Sequence, residues 1–350
     1  NQGSRAVHCA IQIYQTSITE KVRIGIHFWK VKKQSRLGEI YLGLSEYPGT
    51  PPLKDALRII TPPLSIPLGM ADGIKVVEIA GIGPAPCCGM MLADMGAEVI
   101  LVQRKSANPN SAGSGDPDSL GKYAIFNRGK KSITLDLKKP AAVEIALKLI
   151  EQSDALIEGF RPGVLERLGL APEICLQKNP ALVIGRMTGW GQTGPLAKVA
   201  AHDINYIALS GALYYSGQKN EAPFAAPTVT GDMGSGAMLL TVGVLAAVLQ
   251  AKQSGKGQVI DAAISDGSAL LNTILLCFHQ MGQWSDQRGV NMIDGASPWY
   301  NSYECSDGNY VTVGALESQF YKLLVEQCGF EDDPEFAGQF SKSDWPLNLI

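Results

Sequence analysis

The chain has 350 residues, 45% of them hydrophobic and 18% charged, enough apolar sequence to bury one large core or two smaller ones. Its formal net charge of -3 gives no sequence-wide basic field, which argues against a nucleic-acid partner. Seven cysteines fall without metal-ligand spacing, and the adjacent pair Cys87 and Cys88 suits neither a zinc site nor an ordinary disulfide, so no metal is expected and a reducing cytoplasm is the simplest compartment.

Residues 1–70 mix a basic, aromatic patch ("HFWKVKKQSR") with proline-rich runs ("YPGTPPL", "TPPLSIPLG") and keep neither a helical nor a strand period. They read as a poorly ordered N-terminal extension, and a signal peptide is a poor fit because no charged start leads into an apolar stretch with a small-residue cleavage site. From Gly73 the pattern sharpens. "IKVVEIA" predicts a strand, "PAPCCGMMLADMGA" a helix that ends at Gly96, and "EVILVQ" a second strand, which together make a βαβ start. "SITLDL", the helix "PAAVEIALKLIEQS", "ALIEGF" and "PALVIGRM" continue the alternation, with Pro, Gly or Asp between them. The expected fold class is α/β, with a Rossmann-like, mainly parallel sheet. The longest apolar stretch, Ala237 to Leu249, is too short for a membrane span and predicts a buried core helix. Near the C-terminus "SPWYNSYECSDGNYVTVGALE" alternates as a hairpin does about Asp307-Gly308-Asn309, opening a smaller α+β domain. The expected divisions are 1–70 for the extension, 71–296 for the large domain, and 297–350 for the start of a small domain.

The first strand-to-helix turn, "GIGPAP", places Gly81 and Gly83 where a dinucleotide fold turns tightly around a pyrophosphate. Pro86 stands where the third glycine would be, and the second strand ends in Gln103-Arg104-Lys105 rather than in an acidic residue for a ribose hydroxyl. A nicotinamide oxidoreductase is therefore disfavoured, and close helix–strand packing explains the glycines equally well. Basic residues at predicted loop positions form a group: Arg104 and Lys105, Arg128 and Lys131 with Asn127 in "NRGKKS", and Arg161 in "GFRPG". At the carboxyl ends of parallel strands such residues would converge on a polyanion; singly, each is an ordinary surface charge.

Two further residues carry candidate chemistry. His202 opens a probable helix, "DINYIALSGALYY", with Asp203 or a neighbour as its cap, and Asp232 sits between glycines at the start of the apolar helix. Alone, each has a plain reading, His202 as a surface residue and Asp232 as an N-cap.

The segments "GIKVVEIAGIGPAP", "LADMGAEVILV", "NRGKKSITLDLK", "DALIEGFRPGVLERLGL", "GRMTGWGQTGP", "AHDINYIALSG", "GDMGSGAMLL", "GKGQVIDAAISDG" and "WYNSYECSDGNYVTVGALESQFY" together resemble the racemase branch of the family III CoA-transferases, the CaiB/BaiF superfamily, from about Gly73 to Pro346. The resemblance implies a racemase or epimerase that inverts the α-carbon of 2-methylacyl-CoA thioesters through an enolate. His202 and Asp232 would be its two bases, with Glu317 near the histidine and N–H groups at the start of the Asp232 helix on the enolate oxygen. Coenzyme A, as part of the substrate and not as a prosthetic group, would occupy the basic loops, with Tyr206 assigned to the same set. The alternatives are a CoA-transferase in which Asp232 is the covalent nucleophile, and an inactive CoA-binding relic. The resemblance further implies an interlocked homodimer without a membrane span, in the cytoplasm or, in a eukaryote, a mitochondrion or peroxisome. Family members begin near "GIKVVEIA" and continue beyond "KSDWP", so a chain ending at "LNLI" is expected to be poorly active.

Overall fold

In the computed structural model residues 69–104, 124–304, 308 and 310–341 are described. The extension expected over 1–70 thus lies almost wholly outside the described residues, as do Lys105, Asp307 and Asn309. The chain forms two compact units. One comprises Ser65–Tyr214 and Phe224–Cys277, and the other takes in Tyr215–Pro223 and Phe278–Ile350. The break therefore falls at Cys277 and Phe278, earlier than the expected 296–297. Trp284 explains the shift, since it packs edge-on against Tyr215 at 5.3 Å and stacks on Phe278 at 6.4 Å. Arg288 also donates to the carbonyls of Gln218 and Glu221.

The first unit is built on six strands, β1 (Lys75–Ile79), β2 (Glu98–Gln103), β3 (Lys131–Thr134), β4 (Ala155–Glu158), β5 (Val183–Thr188) and β6 (Gln258–Ala263). All pair in parallel, in the order β3-β2-β1-β4-β5-β6. Parallel strands covered on both faces read as continuous apolar runs, which is why "KVVEI" does not alternate. Adjacent residues of β1 nonetheless enter different layers. Val76 joins Val99, Ala155 and Ile157 beneath α1 (Pro84–Asp94) and a long later helix, meeting Leu92, Leu240 and Val244. Val77 and Ile79 face Ala146 and Ile150 of α2 (Pro140–Glu151), Leu165 of α3 (Val164–Arg167) and Cys175 of α4 (Pro172–Lys178).

Three helices follow that position the site. α5 (Asp203–Leu209) is shorter than "DINYIALSGALYY" predicts. A π-helix over Val229–Met238 runs straight into α6 (Leu239–Ser254), and α7 (Ile264–Leu271) packs against the π-helix. α8 (Thr273–Gln280) closes the set. The π-helix and α6 form one helix, Val229–Ser254, long and apolar enough by length and composition to cross a membrane. The sequence reading saw only its central apolar stretch, so length does not exclude a span as expected; its Leu240, Val244, Val248 and Ala251 are nonetheless core residues on the sheet.

In the second unit β7 (Tyr300–Glu304) and β8 (Tyr310–Gly314) pair antiparallel as the alternation predicts, and Gly308 has the positive φ, 75°, that a hairpin turn there requires. α9 (Ser318–Cys328) lays Tyr321 and Leu324 on Trp299, Tyr303, Val311 and Val313. Cys87, Cys88 and Cys175 are buried free thiols, but Cys328 is disulfide-bonded, which departs from a wholly reduced set.

Candidate active site at the switch point of the sheet

A sheet ordered β3-β2-β1-β4-β5-β6 reverses direction between β1 and β4, and open α/β folds bind ligands in the crevice beyond the carboxyl ends of the strands there. Two loops enter that crevice. After β1 comes Gly83, the N-cap of α1, with φ 70° and ψ -123°, a conformation that only glycine adopts readily. After β4 comes the "GFRPG" loop, whose Gly159 approaches α1 so closely that a Cβ there would lie 3.0 Å from Ala85 Cβ.

His202 is the N-cap of α5 and is exposed. The cap is the histidine itself, not Asp203, and its backbone N–H donates to Asn205 Oδ1 at 3.1 Å, the return half of a capping box. Asp232 stands in the first turn of the π-helix rather than at its cap, which is Thr228 in a left-handed conformation. The wider π turn is permitted by Gly231, Gly234 and Gly236, and Gly236 lets α1 approach, since a Cβ on it would lie 3.0 Å from Pro84 Cβ. Oδ2 of Asp232 faces the β1 turn, 3.5 Å from where a Cβ on Gly83 would stand.

The site residues are joined electrostatically. Burial raises the pKa of Asp232 above the usual carboxylate value, Asp203 adds to that rise, and His202 opposes it. Tyr206, one turn along α5, is raised by burial and then by Asp232, against the pull of Arg161. Its hydroxyl donates to the Ala201 carbonyl at 2.6 Å, and its ring meets Trp190 edge-on at 4.7 Å. Tyr206 thus lies within electrostatic reach of both Arg161 and Asp232, and Asp232 within reach of His202.

Other predicted residues are placed differently. Arg104 leaves the carboxyl end of β2 and is exposed. Arg128 is held by Asp94 at the end of α1, through Nε to Oδ1 at 3.0 Å and a second, shorter contact. Lys131 opens β3 and pairs with Glu98, the first residue of β2, at 2.9 Å. Neither therefore joins the carboxyl rim, because the segment before β3 runs down α1 toward the amino ends of the strands. Asn127 closes a short 3-10 turn in that segment, and its carbonyl accepts the Lys130 N–H at 3.3 Å. Glu317, in the second unit, is the exposed N-cap of α9, its carbonyl accepting the N–H groups of Phe320 and Tyr321. Of the donors expected to hold an enolate at the head of the Asp232 helix, two are engaged, Asp232 N–H by Asp203 Oδ1 at 2.6 Å and Met233 N–H by the Thr228 carbonyl at 3.0 Å.

Three charged groups escaped the sequence reading. Lys130 is buried against Glu78 of β1 at 2.6 Å and donates to the Pro86 carbonyl at 2.9 Å, tying the first turn of α1 to the sheet. Arg186 of β5 bridges Glu158 at the end of β4 and Glu166 of α3, at 2.7 and 2.8 Å, on either side of the Arg161 loop. Asp203 is buried beside the exposed histidine. An apolar run with one charge inside it is the only sequence signal for the first two. Among the described residues no three His, Cys, Asp or Glu side chains group as a metal set.

The CoA-transferase family III pattern matches residues 71–345. The chain belongs to that family. Within it, the chain is 43% identical over 274 residues to the mouse alpha-methylacyl-CoA racemase, covering 78% of this chain and 68% of that protein. It is 41% identical over 275 residues to the human alpha-methylacyl-CoA racemase, covering 79% and 69%. A crystal structure of a CAIB/BAIF family protein from Brucella suis superposes with a TM-score of 0.62 at 28% identity, over 78% of this chain and 74% of that one.

Proposed function

We propose that the chain inverts the α-carbon of 2-methylacyl-CoA thioesters by two-base proton transfer. The observation that carries the reading is the pairing of His202 and Asp232, an exposed imidazole and a half-buried carboxyl. They stand at the starts of separate helices, and His202 lowers the Asp232 pKa against the effect of burial. Inversion needs a base on one face of the α-carbon and an acid on the other. One group takes the α-proton, the C–H electron pair moves into the thioester carbonyl to give an enolate, and the other group returns a proton to the opposite face. Burial raises the Asp232 pKa, the direction that favours its acid form and so suits a group serving as acid as well as base. The likeness to the two racemases supports the same choice of substrate. Arg161 and Arg104, beyond β4 and β2, are the cations we assign to the phosphates of coenzyme A, and Glu317 is kept as a candidate third residue. Incubation of the chain with a single 2-methylacyl-CoA epimer in heavy water should give deuterium at the α-carbon together with inversion. Transfer of CoA to an added carboxylic acid without exchange would instead favour Asp232 as a covalent nucleophile.

A homodimer is part of the proposal. Met238, Val242 and Leu249 on the long helix, with Leu270, Leu271, Ile274 and Leu276 on α7 and α8, are large apolar side chains left exposed, and such faces mark interaction sites. Sedimentation should show a dimer, and a monomer at micromolar concentration would remove this part of the reading.

A further inference from the structure

Asp203 is separated from Asp232 by 29 residues, yet its Oδ1 accepts the Asp232 backbone N–H at 2.6 Å. The approach is possible only because residue 231 is glycine, since a Cβ there would lie 2.3 Å from Asp203 Oδ1 and 2.7 Å from its Cγ. Asp203 is 7% exposed, and its second oxygen, Oδ2, is buried with no hydrogen-bond partner. One buried carboxylate therefore ties the helix that begins with His202 to the helix turn that carries Asp232, and half of its hydrogen-bonding capacity is left unused by the fold. Neither capping nor packing accounts for that, because His202 is the cap of α5 and a small apolar side chain would fill the same place without an orphaned oxygen.

We propose that Asp203 is a positioning residue for proton transfer, its carboxylate fixing the main chain at Asp232 and placing a second negative charge within electrostatic reach of the Asp232 carboxyl. It takes no proton in the reaction. The proposal rests on the two-base reading and deepens it by giving the acid form of Asp232 a cause. A like charge nearby disfavours ionisation, and after burial Asp203 is the largest influence raising Asp232. Of the other elements packed on the π-helix, α1 meets it through Gly83, Pro84 and Cys87 and α7 through Gly267 and Ser268, the last donating to Ser235 Oγ at 2.9 Å; their titratable groups are Cys87, whose thiol burial pushes up, Asp266 of α7 and Asp261 of β6. His202 is the opposing charge, and Tyr206 is the remaining titratable neighbour on α5.

The test separates charge from hydrogen bond. Asp203→Asn keeps an oxygen acceptor and removes the charge; Gly231→Ala keeps the charge and displaces the carboxylate from the N–H. Alpha-proton exchange into a 2-methylacyl-CoA is followed against pH for the parent and both variants, and the Asp232 carboxyl is titrated by carbon-13 NMR, with Asp232→Asn giving the assignment. In Asp203→Asn the Asp232 titration and the limb of the kcat profile on which activity falls as Asp232 ionises should both move to lower pH. A loss of roughly tenfold in kcat at neutral pH and little change in KM should accompany the shift, since one pKa unit changes the acid fraction about tenfold. Gly231→Ala should lower kcat without that displacement. An Asp232 titration and pH profile in Asp203→Asn that match the parent would overturn the proposal. If Asp203→Asn does not fold, the parent alone decides: the Asp232 amide proton should titrate with the Asp203 carboxyl, and an amide insensitive to pH refutes the contact. A parent that exchanges no α-proton defeats the two-base reading separately, while the NMR titration still answers for Asp203.

Discussion

His202→Ala and Asp232→Ala are each expected to reduce α-proton exchange by about 10²–10⁴-fold, the usual worth of a positioned acid or base. Folding and CoA binding should survive, because His202 is exposed and Asp232 lies in a helix turn off the apolar stripe of α6. The check is deuterium incorporation beside a circular dichroism melt and an acyl-CoA binding isotherm, and parental exchange in either variant would end the two-base assignment. The positions of both at the starts of helices were legible in the sequence, His202 ahead of a helix pattern and Asp232 among glycines. The charges around them were not. Asp203 follows the histidine and reads as an ordinary helix cap, since nothing local tells that its carboxylate reaches a backbone N–H far along the chain. Arg128 and Lys131 erred in the other direction. Each looked like an anion ligand, but a basic side chain beside the opening of a strand finds the carboxylates at the amino end of the sheet, here Asp94 and Glu98.

At the scale of elements, Gly89 of α1 is where the helix comes nearest the sheet. A Cβ there would stand 1.8 Å from Glu78 Oε2 and 3.1 Å from Lys130 Nζ, so no rotamer shift of one side chain alone relieves it. Gly89→Ala should destabilise the fold by about 1–3 kcal/mol, the range for overpacking a tight interior, read as a lower denaturant midpoint with an unchanged slope. A midpoint equal to the parent's would mean that α1 rides out from β1 at no cost. The dinucleotide fingerprint seeks this close approach at Pro86; the structure places it one turn later, at Gly89. That offset is why the partial motif was ambiguous in the sequence. Strands β1, β2, β4 and β5 were legible because buried parallel strands are short apolar runs between turn residues. The π-helix was not, since its wider turns come from glycines whose role depends on what packs against them.

For the molecule as a whole, the buried pair Glu78 and Lys130 makes stability depend on pH. Both side chains are 1% exposed, and burial pushes the Glu78 carboxyl up to about 7 although Lys130 pulls it back. In the unfolded chain a glutamate titrates near 4.5. The folded state therefore binds this proton more tightly, so the group's contribution is fully present below about 4.5 and is lost as pH rises through about 7. Glu158 and Asp232, also raised chiefly by burial, act in the same direction, whereas Glu98, lowered by Lys131, opposes them from an exposed position. Between about pH 5 and about pH 8 the parent should lose about 1–3 kcal/mol of stability through Glu78. Glu78→Gln cannot titrate and leaves Lys130 its bond to the Pro86 carbonyl. Its urea midpoint should lie near the parent's at the acid end, where the glutamate is neutral too, and should fall less over the same interval. An equal fall in both proteins would show that Glu78 is ionised throughout that interval, its buried ammonium partner outweighing the cost of taking the carboxylate out of water.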